Sequence, residues 1–195
     1  MQDADGWKTI SVETHFTNQH LEVVTEKVTT PSSREARTWT TVRRKAAVVI
    51  APMTSDGKFL LIKEERIPIR AAIWSMPAGQ IDRPNADERE IEHVALRELH
   101  EETGYDLDRG GEVISLGYFF TSAGLTDEHC YFFLIRPVRR ADVHNREEGE
   151  AILGCRAVDV YELSRMIAQN EIRDSNTLAI CARLAARGLI SLGLD

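Results

Sequence analysis

Cysteine is scarce in this chain. There are three, Cys130, Cys155 and Cys181, odd in number and far apart. That excludes a disulfide framework and fits a reducing compartment, with each thiol free and structural. Cys130 lies in the apolar run 130–135 and is expected in the core. No apolar run approaches the roughly 20 residues needed to span a bilayer. The N-terminus is polar and charged without a signal-peptide pattern, so the expectation is a cytoplasmic protein. Positive charge is also short: 24 Lys and Arg stand against 31 Asp and Glu, a formal net charge of −7. This argues against a general nucleic-acid or anionic-membrane binder. An anionic substrate would need a local basic site or a metal ion. The histidines show no metal-ligand spacing, and there is no Ser/His/Asp nucleophile pattern, phosphate-cradling glycine loop or internal repeat.

What is present is an ordinary globular composition, 43% hydrophobic and 28% charged over 195 residues, enough for one domain with a small appendage. Residues 7–41 are rich in Thr and Val with partial alternation. Strands are expected at 21–28 and 37–42, with a turn at Thr30-Pro31-Ser32-Ser33. This appendage, residues 1–43, is too short to bury a core alone. In the main domain, residues 44–195, the run 45–52 reads as a buried strand. Asp56-Gly57 signals a hairpin into a strand at 58–62. Residues 67–74 lead into the loop Pro77-Ala78-Gly79. A helix should begin near Ala86 or Asp87, with Ile91, Val94, Ala95 and Leu99 as its apolar stripe, and stop at Gly104. Strands follow at 112–120 and 129–135, the second ended by Arg136-Pro137, and another at 151–158. Asp159 and Glu162 form a capping pattern for a helix to about Asn170. Ser175 opens a last helix with Leu178, Ala182 and Ala185 on its apolar side. These elements imply an α+β core.

The most informative stretch is Arg97-Glu98-Leu99-His100-Glu101-Glu102-Thr103-Gly104-Tyr105. On a helix, Glu98, Glu101 and Glu102 sit at i, i+3 and i+4 and share a face. Like charges at that spacing repel, and negative side chains in a last turn oppose the helix dipole. A solvated acidic face is one reading. The other is a carboxylate cluster that gathers a hard divalent cation such as Mg²⁺. His100 is expected to face solvent.

These residues resemble the Nudix box: Gly, five residues, Glu, seven residues, then Arg-Glu-apolar-X-Glu-Glu-X-Gly-apolar. The second half matches from Arg97 to Tyr105. In the first half, Gly79 lies four residues too far from Arg97, and Arg89, flanked by Glu88 and Glu90, holds the position of the first glutamate. The extra residues lengthen the loop around 83–86. The resemblance implies a Nudix-type α/β/α sandwich around a mixed sheet. It also implies metal ligation by Glu98, Glu101 and Glu102 with a backbone carbonyl near Gly79, and Arg97 orienting the glutamates. Mg²⁺ is the implied cofactor, with Mn²⁺ an alternative.

The likeness covers roughly residues 45–190 and is greatest to the ADP-ribose pyrophosphatase branch. Residues 61–69 are similar to the segment that carries a substrate-facing arginine there, which would be Arg66; the other reading of Arg66 is an ion pair with Glu64 or Glu65. Pro77-Ala78-Gly79 is similar to that branch's Pro-Ala-Gly segment and places Ala78 and Gly79 at the substrate, although Ser75 stands where the branch has Glu. Residues 121–128 resemble its Ser-Pro-Gly loop, with Ala123 for the proline. Residues 148–152 are similar to its late acidic loop. Glu148, Glu150 or Glu102 would then accept the proton of the attacking water; the plain alternative for Glu148 and Glu150 is a solvated turn. Trp7, Phe16 and Trp39 are candidates to stack on a base. The appendage implies a homodimer whose chains share the substrate sites. The implied reaction is hydrolysis of the diphosphate of ADP-ribose or a related nucleoside-diphosphate sugar. The alternatives are a non-catalytic ligand-sensing module and a pyrophosphohydrolase of another dinucleotide.

Overall fold

The computed structural model describes residues 5–143 and 151–193. The chain divides into two compact units, residues up to 46 with Phe120–His129, and the remainder.

The first unit is a three-stranded antiparallel sheet in the order β1 (Lys8–Thr17), β2 (Leu21–Thr30), β3 (Ser33–Arg44). Asn18 makes the first turn: its side-chain oxygen accepts from His20 N at 2.8 Å and Leu21 N at 2.9 Å. The loop after Phe120 is held to β3. Val42 N donates to Leu125 O (2.9 Å), Trp39 Nε1 to Gly124 O (3.1 Å) and Arg44 N to Asp127 Oδ1 (2.9 Å). Arg44 also pairs with Glu128.

The second unit is built on a seven-stranded sheet. Its path is β10 (Ile152–Val158), β5 (Phe59–Arg66), β4 (Ala47–Thr54), β9 (His129–Arg140), β8 (Tyr105–Phe120). Two short strands lie off this path: β6 (Ala71–Ser75) pairs with β5, and β7 (Ala78–Gln80) with β4. The β4–β9 pairing is parallel and the other registered pairings are antiparallel, so the sheet is mixed. Val49, Ala51, Phe59, Leu61, Phe132 and Leu134 pack with Leu163, Met166, Ile180 and Leu184, which come from α2 (Val160–Ala168) and α3 (Ser175–Ala186). The alternate residues Val48, Ile50, Leu60, Ile62, Phe133 and Ile135 are equally buried and face the opposite side by strand alternation. There α1 (Glu88–Thr103) packs on β4, β5, β7 and β10. The result is the α/β/α layering expected.

Several local expectations need correction. Proline does not end β9, which runs through Pro137 to Arg140. The register slips between Pro52↔Ile135 and Thr54↔Val138, so the ladder does not call on the missing proline N–H. Residues 67–74 are not a plain lead-in: a 3₁₀ turn at Ile67–Ile69 is followed by β6. In α3 the buried side is Thr177, Ile180, Cys181 and Leu184, while Leu178 and Ala182 are exposed. A threonine takes the buried position because its polar atoms are bonded there. No helix among the described residues is long and apolar enough to cross a membrane.

Candidate active site

Helix α1 begins with a full capping box. Asp87 accepts from Glu90 N, and the Glu90 carboxylate accepts from Asp87 N. Gly104, at φ 72°, closes the helix in the left-handed region and donates to His100 O. Ile91, Ala95 and Leu99 are buried, so the helix is fixed on the sheet. That fixes Glu98 and Glu102 as well: they are 5% and 4% exposed. Two carboxylates so far out of water require specific partners.

Those partners come from β7 and from Arg97. Ala78 N donates to Glu102 Oε2 at 2.8 Å. Gly79 pairs with Val48 of β4, and a Cβ there would overlap the Glu98 carboxylate. Only glycine lets the backbone come so close. The Arg97 guanidinium forks, with Nη2 2.5 Å from Glu98 Oε1 and Nη1 2.7 Å from Glu101 Oε2. One cation thus offsets two carboxylates. Arg97 links Glu98 with Glu101, while β7 meets Glu102 at Ala78 and Glu98 at Gly79. His100 does not simply face solvent, since its Nδ1 lies 2.8 Å from Asp106 Oδ1.

Among the described residues, no three acidic, histidine or cysteine side chains converge closely enough to hold a metal ion. The donor set still fits a hard divalent cation. It is all oxygen, two of its carboxylates are withdrawn from water, and a glycine admits the backbone against one of them. Glu88 and Glu90 lie at the other end of α1; Glu90 is eight residues, about 12 Å, from Glu98. Glu90 is engaged by the capping box and by Arg83, and Glu88 is exposed. Glu148 and Glu150 lie outside the described residues.

Arg66 ends β5 and pairs with Glu64, Nη2 to Oε2 at 2.8 Å. This is the ion pair weighed from the sequence. Burial pushes the Glu64 carboxyl above its ordinary range, Arg66 pulls it back, and Asp174 adds to the rise. Ser75 is 1% exposed, and among the described residues its hydroxyl has no hydrogen-bond partner. Trp7, Phe16 and Trp39 are each more than half exposed.

The turn into the last helix at 170–174, similar to that of the ADP-ribose pyrophosphatase branch, reaches this region through Thr177, which the sequence reading does not single out. Met76 N donates to Thr177 Oγ1 at 2.8 Å, across 101 residues of chain. Thr177 in turn donates to Asp174, the N-cap of α3. The spacing Asp174-X-X-Thr177 signals a helix cap but not its reach to Met76.

The NUDIX domain model matches residues 42–179. An ADP-ribose pyrophosphatase of Bacillus subtilis (strain 168) is 26% identical over 170 residues, covering 87% of this chain and 88% of that protein. A methanol dehydrogenase activator of Bacillus methanolicus is 28% identical over 176 residues, 88% of each. Among solved structures, an ADP compounds hydrolase superposes with a TM-score of 0.73 at 15% identity, over 97% of this chain and 100% of that one; at that identity the match speaks for the fold. The box helix, the Ala78–Gly79 strand against it and a family match over most of the chain agree: this chain belongs to the NUDIX domain family and is a Nudix pyrophosphohydrolase.

Proposed function

We propose that the chain hydrolyses the diphosphate linkage of ADP-ribose or a related nucleoside-diphosphate sugar, giving a nucleoside monophosphate and a sugar phosphate, with Mg²⁺ or Mn²⁺ held by Glu98, Glu101, Glu102 and the backbone at Gly79. The observation that carries this is the docking of Ala78–Gly79 onto two buried box glutamates. The likeness to an ADP-ribose pyrophosphatase supports the substrate class.

Diphosphate hydrolysis is helped chiefly by positioning and charge stabilisation. A bound divalent ion would offset the diphosphate charge and acidify a bound water. The protein's own part is to hold the carboxylates. Ala78 N fixes one oxygen of Glu102, and Arg97 fixes Glu98 and Glu101 from the side. Arg66, 41% exposed at its side chain, would exchange its pairing with Glu64 for the substrate diphosphate. The water's proton passes to Glu102, or to Glu148 or Glu150.

Residues 1–43 form a dimerisation appendage and residues 44–195 the hydrolase domain in this reading. Trp7, Ile10, Val12 and Phe16 expose apolar surface that a second copy would cover. No disulfide joins Cys130, Cys155 and Cys181, which suits a reducing cytoplasm.

The test is phosphate release, coupled to a phosphatase, from a panel of nucleoside-diphosphate compounds with Mg²⁺, comparing wild type with Glu102→Gln. Turnover of ADP-ribose that the substitution removes supports the reaction and the site together. Turnover of a different dinucleotide keeps the mechanism and moves the substrate. No turnover of any compound overturns the reading.

A further inference from the structure

The active-site segment is fastened from a distant part of the chain. Met76 is 1% exposed and Thr177 is fully buried. A buried backbone N–H needs an acceptor, and for Met76 it is the Thr177 hydroxyl. A hydroxyl has one proton to give. That of Thr177 goes to Asp174 Oδ2 at 2.8 Å, and the same oxygen accepts Thr177 N at 2.8 Å. The direction of the chain of bonds is therefore set: Met76 N–H to Thr177 hydroxyl to Asp174 carboxylate. Two residues beyond Met76, Ala78 N holds Glu102, and the next residue, Gly79, lies against Glu98. The intervening residue is Pro77, whose ring fixes φ and whose carbonyl accepts Ile50 N at 2.9 Å. Little freedom remains between the fastening and the glutamates.

We infer that Thr177 and Asp174 are positioning residues for the reaction: the hydroxyl–carboxylate relay at the start of α3 sets where Ala78 and Gly79 meet Glu102 and Glu98. The inference rests on the assignment of those glutamates to the metal site. It is specific to the hydroxyl. Valine at 177 keeps the shape and removes both bonds, whereas serine keeps them. Asparagine at 174 caps a helix about as well as aspartate, but it is a weaker acceptor for the Thr177 proton.

The experiment measures Mn²⁺ binding by calorimetry, thermal melting, and kcat and KM for ADP-ribose in wild type, Thr177→Val, Thr177→Ser, Asp174→Asn and Glu102→Gln. Direct hydrogen-bond partners of metal ligands typically change affinity or activity by about 10–100-fold; Thr177 acts from further back, through Met76 and Ala78, so the low end of that range applies. Thr177→Val is expected to weaken Mn²⁺ binding by about tenfold and to lower kcat more than it changes KM, with Thr177→Ser close to wild type and Asp174→Asn between. A folded Thr177→Val protein that binds Mn²⁺ as wild type does overturns the inference. If Thr177→Val fails to fold, unchanged Mn²⁺ affinity in Asp174→Asn overturns it instead. Mn²⁺ binding without ADP-ribose turnover sinks only the substrate assignment, and the binding comparison still decides. Mn²⁺ binding that survives Glu102→Gln removes the site assignment and this inference with it.

Discussion

In the seven-stranded sheet, Val48–Ala51 of β4 and Phe59–Ile62 of β5 are closed to solvent. In the three-stranded sheet only Val24 is closed, and Ile10, Val12 and Phe16 of β1 stand about half open. The first arrangement is covered by helices on both faces and holds itself together. The second is held by its ladders, a few loop bonds and whatever covers it. Buried carboxylates such as Glu98 and Glu102 are affordable only where the surrounding frame is fixed well enough to keep their partners in place. The open sheet has surface to offer instead.

Leu61→Ala in β5 should destabilise the protein by about 2–5 kcal/mol, read as the urea midpoint. Trp39→Ala in β3 should cost about 1 kcal/mol or less, because the ring is 59% exposed and contributes one hydrogen bond, to Gly124. Equal losses would mean the two sheets are supported alike. Gly79→Ala forces a methyl into the Glu98 carboxylate. It should lower kcat/KM by about 100-fold at the upper end of neighbouring-residue effects, with an overpacking cost of about 1–3 kcal/mol. Phe16→Glu tests the proposed dimer: sedimentation should show two copies together in wild type and one in the variant, with little change in the far-ultraviolet spectrum. A dimer that persists removes the open sheet from the interface.

The smallest expected effect concerns Glu162 on α2. Hydrogen bonds from Arg165 and then from Arg156 lower its carboxyl from 4.5 to about 2. A lowered carboxyl stabilises the fold above its unfolded value and loses that contribution as pH falls through the folded one. The melting-temperature gap between wild type and Glu162→Gln should thus be full above pH 4.5 and close as the pH approaches about 2. A gap that widens on acidification would contradict the assignment of those bonds.

Legibility in the sequence followed locality. Helix α1 could be read almost whole, because its cap, its stripe and its terminal glycine all lie within the segment. The glutamate triplet was legible as chemistry. Its burial was not, since the partner of Glu102 is a backbone N–H on a strand 24 residues away. Strands β6 and β7 escaped because they are only five and three residues long and their pairing is set by β5 and β4. Pro137 reads as a stop until the slip opposite it is known. In α3 the side that sequence favours and the side that is buried differ by one position, because Leu178 outweighs Thr177 on any hydrophobicity scale. The threonine is buried for its hydrogen bonds instead.

The bond between Met76 and Thr177 also has a consequence in time. A ribosome adds about 5–20 residues per second, so the 101 residues between donor and acceptor take about 5–20 s to make. The box helix and its partner strands β4, β5 and β7 leave the ribosome well before α3 does. Through that interval the nascent chain carries the complete motif, while the N–H at Met76 still lacks the hydroxyl that will receive it.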